Sequence, residues 1–251
     1  HLANLEGNAG NWPESMRINE EFIARHPGTR EASIAMFNLG SAYMVKVSYR
    51  SPLEDLDLAE HWINKAMKLG NKNYPLNNLG AIEFHRGNYL KAVRLFRKAA
   101  KHRDPKAFEN LGLYHHKHGR LQDAISCYNS AFEIGGYSRR LELFGVVATI
   151  QGGHTEDSWY QRLLRVNETR SSCVTLLLVA SYERRFAGLG SQAAERYEMV
   201  KNLPWTEEHH DDMADLEACG WWDDFDRAVI RELIGEELKS ALHWNESNQS
   251  K

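Results

Sequence analysis

Three histidines crowd one short stretch, His115, His116 and His118, and a second polar knot, EEHHDDMAD, spans residues 207–215. Imidazoles at His115 and His118 fall three apart on one helical face, a spacing that can share a metal ion. A histidine near a helix C-terminus is explained equally by the helix dipole. His209, Asp212 and Met213 would share a face of a second helix, but no distant ligand group accompanies them. That run reads as a solvated acidic helix start. No phosphate loop of the G-x-x-x-x-G-K-[ST] kind, no H-E-x-x-H and no G-x-S-x-G is present. Cys127, Cys173 and Cys219 are too dispersed for a disulfide framework or a C-x-x-C metal site, and fit a reducing, cytoplasmic setting. The residues therefore predict no enzyme, no cofactor and no metal.

The remaining composition narrows the class. Of the 251 residues 42% are apolar and 26% charged, and a net charge of −3 argues against a dedicated nucleic-acid binder. The longest apolar run, CVTLLLVA at 173–180, is far short of the roughly 18 to 20 residues that span a bilayer, so it predicts a buried helix without membrane insertion. Asn167-Glu-Thr and Asn245-Glu-Ser match the glycosylation triplet, which chance supplies in most chains of this length. The start at His1, without an initiator Met or signal peptide, fits an excised domain whose targeting segment lies elsewhere.

Function must then be sought in the elements, and these repeat. Gly80, Gly87, Ala92, Phe96 and Ala99 return at identical spacings as Gly112, Gly119, Ala124, Tyr128 and Ala131. Each copy divides at its second glycine into two stretches with apolar positions three and four apart, the period of an amphipathic helix. Ala92, Val93, Phe96 and Ala99 form one face; Lys91, Arg94, Lys98 and Lys101 form the other. Gly80 and Ala92 are expected where the two helices of a copy approach most closely, and Ala99 where the next copy docks. Weaker copies lie in phase: Leu39-Gly40 with Ala59, Trp62, Ile63 and Ala66, a half-copy around GNWPESMRINEEFIARHPG, Phe144-Gly145 with a turn glycine at Gly152, and a unit with Tyr182, Ala193, Tyr197 and Pro204.

This pattern resembles the tetratricopeptide repeat, a helix-turn-helix unit of about 34 residues. The copy running from Leu39 to Leu79, with its longer turn and DLAEHWINKAMKLG, looks like the Sel1-like variant. The resemblance implies an all-α, right-handed superhelical solenoid of about five repeats over 1–204, clearest at 74–133. An acidic helical capping region and polar tail would occupy 205–251, because an array needs a terminal element with one polar face.

In that family the first helix of each repeat lines a concave groove that receives partner segments. Carried over by position, the resemblance puts Phe37, Asn38, Ser41 and Met44 on the groove, followed by Asn77, Asn78, Ala81, Phe84 and His85. Lys106, Glu109, Asn110, Leu113 and Lys117 would follow, then Arg139. Asn38, Asn78 and Asn110 each precede Leu-Gly. An amide there can bond an extended peptide backbone or tie neighbouring helices together. One subclass grips a terminal carboxylate with two lysines, two asparagines and an arginine. Asn78 and Lys106 match that clamp, while Phe37, Ser41 and Asn110 replace its other members, so the clamp is incomplete. The positions that change between the two clear copies are Ala81 to Leu113, Phe84 to His116 and His85 to Lys117, and these are expected to face the groove.

Charge is unevenly spread. Eight Lys or Arg and one acid, Asp104, lie between Arg86 and Lys106, whereas twelve acids face Arg227 and Arg231 between Glu207 and Glu237. The expected role is a non-catalytic scaffold binding a protein or peptide segment in the groove. The alternatives are a helical accessory region of a larger enzyme, or a homo-oligomer joined through the basic 86–106 and acidic 207–237 surfaces.

Overall fold

The computed structural model describes residues 11–46, 53–70, 75–136, 138–153, 172–203 and 207–234, together with Ala3, Gln161 and 163–165. All regular elements among them are helical. In chain order they are α1 (Trp12–Arg25), α2 (Arg30–Lys46), α3 (Leu53–Lys68), α4 (Pro75–His85), α5 (Tyr89–Ala100), α6 (Pro105–Lys117), α7 (Leu121–Glu133) and α8 (Arg139–Gln151). After these come α9 (Cys173–Tyr182), a π-helical turn Glu183–Ala187, α10 (Gly190–Val200), α11 (Glu207–Ala218) and α12 (Asp224–Ile234). Leu2, Leu5, the centre of the long turn at 47–52, Trp159, Asn167, Pro204 and Asn245 lie outside the described residues, as does the terminal polar tail.

The chain forms two compact units, residues 1–110 and 111–251. In the first, α1 packs on α2, α2 on α3, α3 on α4 and α4 on α5. The steric logic is visible at the small residues. A methyl built on Gly80 would lie 2.6 Å from two ring carbons of Phe96, and one on Gly40 would lie 2.7 Å from Ile63 Cγ1. Glycine is thus the residue that lets α4 meet α5 and α2 meet α3 at backbone distance. Ala92, Ala99, Ala59 and Ala66 are fully buried on the facing helices. Leu56, Ala59, Ile63 and Ile82 form one apolar cluster with Met44 and Leu79 against it; Met16, Leu39 and Ala42 form another, on which Trp62 packs.

In the second unit Gly112 repeats the role of Gly80, its added methyl falling 2.5 Å from the Tyr128 ring. Helix α9 is buried on every side, as its apolar run requires. Ser172 starts it with a capping box: its hydroxyl accepts from Thr175 N–H at 3.2 Å, and Thr175 Oγ1 accepts from Ser172 N–H at 2.7 Å. α9 packs on α10 and on α11.

The turns inside the repeats share one device. Gly87 and Gly119 hold left-handed φ values of 79° and 68°. Behind them Asn88 N–H reaches Glu83 O at 2.8 Å and Arg120 N–H reaches His115 O at 2.9 Å. This is the paired carbonyl cap that ends a helix on a glycine. In the next copy the left-handed residue is Gly153, φ 88°, rather than Gly152. The helix runs one residue further there, and Gly152 N–H still bonds Ala148 O at 2.9 Å. Among the described residues no helix is long and apolar enough to cross a membrane.

Candidate functional site

The recurrent asparagines sit on the first helices, and in the first unit they form a ladder. Asn78 Nδ2 on α4 donates to Ser41 Oγ on α2 at 2.9 Å, and Asn110 Nδ2 on α6 donates to Asn77 Oδ1 on α4 at 2.9 Å. A longer 3.5 Å contact from Asn77 Nδ2 to Asn78 Oδ1 joins the two rungs. Asn77 is buried, and Asn78, Asn110 and Ser41 are half-buried, so the ladder lies at the edge of the packed surface. Of the two roles open to these amides, the helix-to-helix one is occupied at Asn78 and Asn110. An amide carries two N–H donors and an oxygen with two lone pairs, so one interhelical bond leaves capacity for another partner.

The other expected groove residues of this unit are placed as follows. Asn38 and Phe37 are half-buried on α2. Phe84 is half-buried and meets Tyr89 of its own repeat edge-to-face, centroids 5.0 Å apart. His85 ends α4, half-buried. Lys106 is exposed and bonds Glu109 Oε2 at 3.2 Å, one turn along α6. Asp104 begins that helix by accepting from Lys106 N–H at 3.0 Å. Burial pushes its carboxyl above the usual range, although backbone N–H groups of Lys106 and Ala107 act the other way.

Below the ladder, Glu83 is a buried carboxylate held by Lys91 Nζ and Asn88 Nδ2, both at 2.9 Å, with Arg86 Nη1 at 3.2 Å. Burial raises its pKa, but the bonds from Lys91 and Asn88 and the charges of Lys91 and Arg86 outweigh it, leaving the group below the ordinary range. Arg86 is also bound by Asp57 and by Glu60 at 2.6 Å, which ties α4 to α3.

The second unit is arranged differently. Lys117, expected to be open, is paired with Asp215 of α11, and Arg140 of α8 meets the same carboxylate. Asp215 is fully buried and Asp212 nearly so, so residues 212–215 of that run form an internal surface of the fold, in contrast to the solvated helix start their composition predicts. His116 is also buried, where the changing repeat position predicts a groove-facing side chain, and its Nε2 contacts Gln151 Oε1 at 2.6 Å. Gln151 Nε2 in turn donates to Cys219 O at 3.1 Å. With Gln151 oriented this way His116 is the Nε2–H tautomer, and its buried Nδ1 has no partner among the described residues. Burial lowers the His116 pKa; the Gln151 bond opposes this and the Lys117 charge adds to it. Burial also pushes the Cys219 thiol up to about 12, against the charges of Lys117 and Arg140, so it is held as an unreactive thiol. Leu113 is buried, and Arg139 opens α8, its side chain outside the described set.

Two further carboxylates of the chain's acidic end are consumed likewise. Asp226 accepts from Ser181 Oγ and Tyr197 Oη, each at 2.7 Å, and Arg227 Nε donates to Glu217 at 2.9 Å. Sequence reasoning missed Asp215, Arg140 and Gln151, and no local spacing marks them. Among the described residues no group of three or more His, Cys, Asp or Glu is gathered to hold a metal.

Stacked helix pairs, glycine caps and interhelical amides define an α-helical repeat protein. Residues 77–138 match the model of the tetratricopeptide repeat. No curated protein sequence matches the chain. Among solved structures it is similar to a tetratricopeptide repeat protein from Parabacteroides merdae, at 14% identity over 96% of this chain and 95% of that one, TM-score 0.56. It is also similar to pilF of Pseudomonas aeruginosa, at 16% identity over 85% and 94%, TM-score 0.58. A Sel1 repeat protein from Oxalobacter formigenes matches at 19% identity over 99% and 98%, TM-score 0.54. Residues 77–138 thus carry tetratricopeptide repeats, and the fold of the chain is similar to that of tetratricopeptide and Sel1 repeat proteins.

Proposed function

We propose that the chain is a non-catalytic scaffold that binds an extended peptide or protein segment along the first helices of its N-terminal unit. Asn38, Asn77, Asn78, Phe84, His85, Lys106 and Asn110 would form the contact surface. The observation that carries this reading is the amide ladder joining Ser41, Asn78, Asn77 and Asn110. Amides fixed by one interhelical bond are preorganised, so a backbone that uses their remaining donors and acceptors meets a surface whose side-chain entropy is already lost. Lys106, exposed although it pairs with Glu109, adds a cation at one end of the ladder that an acidic side chain can also reach. Lys117 is left out of the surface, because its charge is satisfied by Asp215.

The test is selection of binders from a displayed peptide library, followed by affinity measurement on variants. Asn78→Ala, Asn110→Ala and Lys106→Glu are each expected to weaken a selected peptide at least several-fold, whereas Arg25→Ala, remote on α1, is not. Binders that tolerate all three substitutions would sink the assignment.

A further inference from the structure

The outward face of α5 carries cations that nothing in the described fold consumes. Arg94 and Lys101 each stand three and four residues from the adjacent pair Arg97 and Lys98, forming a stripe about 10 Å long. All four are exposed, as is Arg103 just beyond the helix. Among the described residues none of the five has a carboxylate partner, whereas Arg86, Lys91 and Lys106 beside them are paired with Asp57, Glu60, Glu83 and Glu109. The one acid within the stretch, Asp104, is turned to the start of α6.

Two further observations set this stripe apart from an ordinary solvated face. The next copy has Ser126, Asn129, Ser130 and Glu133 where this one has Arg94, Arg97, Lys98 and Lys101, so repeat stacking does not require the cations. The second observation lies in the backbone. In three copies the residue four places after the inner alanine is left-handed: Gly70 after Ala66 at φ 101°, Gly135 after Ala131 at φ 85°, and Arg103 after Ala99 at φ 59°. Glycine takes that conformation freely, while a residue with a Cβ is strained in it. Arg103 is the only non-glycine with positive φ among the described residues, and it extends the stripe by one more positive charge.

We propose that the exposed face of α5, continued by Arg103, is a second binding surface, for an acidic segment of a partner protein with carboxylates on successive turns. The chain would then join two partners, one at the ladder and one here, and this surface stands independently of the groove reading. The stripe offers no exposed Phe, Tyr or Trp ring on which bases could stack, since Phe96 is buried and Tyr89 packs on Phe84; His102 is its one exposed ring. Its one exposed apolar residue, Leu90 at the N-terminal end, suits a single anchoring side chain rather than insertion into lipid. In the acidic end of a second copy Asp212, Asp215 and Asp226 are buried within their own unit and are closed to such a contact.

The whole chain is titrated with a fluorescein-labelled oligoglutamate peptide. Saturable binding is expected, weakening at least about tenfold between about 50 and 200 mM salt. The variant R94S/R97N/K98S/K101E installs the next copy's own residues; it is expected to keep its melting temperature and lose binding at least tenfold. R103G is expected to weaken binding by a few-fold while raising the melting temperature, the reverse of what a structural arginine does. Equal binding by the quadruple variant overturns the proposal. So does tighter binding of polyuridine RNA or of phosphatidylserine vesicles through the same residues, or self-association of the unmodified chain that the quadruple variant abolishes.

Discussion

Asn110 on α6 donates its side-chain N–H to Asn77 Oδ1 on α4 at 2.9 Å, a bond between corresponding helices of successive repeats. Asn78 makes the equivalent step back to Ser41 on α2. The same residue type that would face a ligand therefore also sets the spacing of the helices that present it.

Removing one end of a rung should cost stability without disturbing the fold. Asn110→Ala leaves the buried Asn77 oxygen without its donor, for an expected loss of about 1 kcal/mol. In a double-mutant cycle with Asn77→Ala the coupling should be on the order of 0.5–1.5 kcal/mol in urea unfolding. Coupling indistinguishable from zero would show that the rung carries no stability.

The close approach at Gly80 makes a sharper prediction. Alanine is the better helix former by about 1 kcal/mol. Yet its methyl would overlap the Phe96 ring, which is itself buried. Overpacking typically costs about 1–3 kcal/mol, so Gly80→Ala should be net destabilising. Adding Phe96→Leu should then cost less than Phe96→Leu costs in the unmodified chain, because the smaller side chain makes room. Thermal melts of the four proteins measure that difference directly.

How far the sequence reached is settled by the kind of constraint involved. Gly80, Gly112, Phe96 and Tyr128 were legible because stacking imposes the same steric demand on every copy, and identical demands leave identical letters. The asparagines were legible as a recurrence. Their bonding was not, since Ser41 and Asn77 stand at non-equivalent positions of neighbouring copies. Lys117 fell furthest from its expected setting. Its partner Asp215 lies 98 positions away, and a buried ion pair across that distance leaves no periodic trace. The spacing points to Gly152 as the turn residue, whereas one extra helical residue moves the left-handed position to Gly153.

Two buried groups, His116 and Glu83, contribute to the pH dependence with the same sign, whereas Asp104, raised by burial, acts the other way. His116 has a depressed pKa in the folded chain, so as the pH falls through its ordinary 6.5 the unfolded chain takes up a proton that the folded chain refuses. Stability is present above that value and is lost on acidification until the folded group also titrates. Glu83 is depressed from 4.5, and its contribution is likewise lost at lower pH, as the unfolded carboxyl protonates first. His116→Gln should flatten the limb just below pH 6.5, and Glu83→Gln the limb below 4.5, in stability measured by urea unfolding across pH. A curve unchanged by both substitutions would locate the acid sensitivity elsewhere.

The pairing of Lys117 and Arg140 with Asp215 is expected to be the costliest point to break. The Asp215 carboxylate is fully buried and the Lys117 side chain is only 12% exposed, so the surrounding water does little for either charge. Removing one member of such a set leaves a buried charge uncompensated, which costs about 3–5 kcal/mol, the lower end applying where the partner keeps some solvent. Arg140 is 36% exposed and can recover part of its hydration, so Asp215→Asn should destabilise by about 3 kcal/mol. Replacing the pair by apolar residues of similar length, Lys117→Met with Asp215→Leu, removes both desolvation penalties at once. That double variant should therefore be more stable than Asp215→Asn alone. Urea midpoints at constant slope decide the matter: a double variant as weak as the single one would mean that the residues around Asp215 tolerate no apolar replacement, and that the carboxylate is needed for more than its charge.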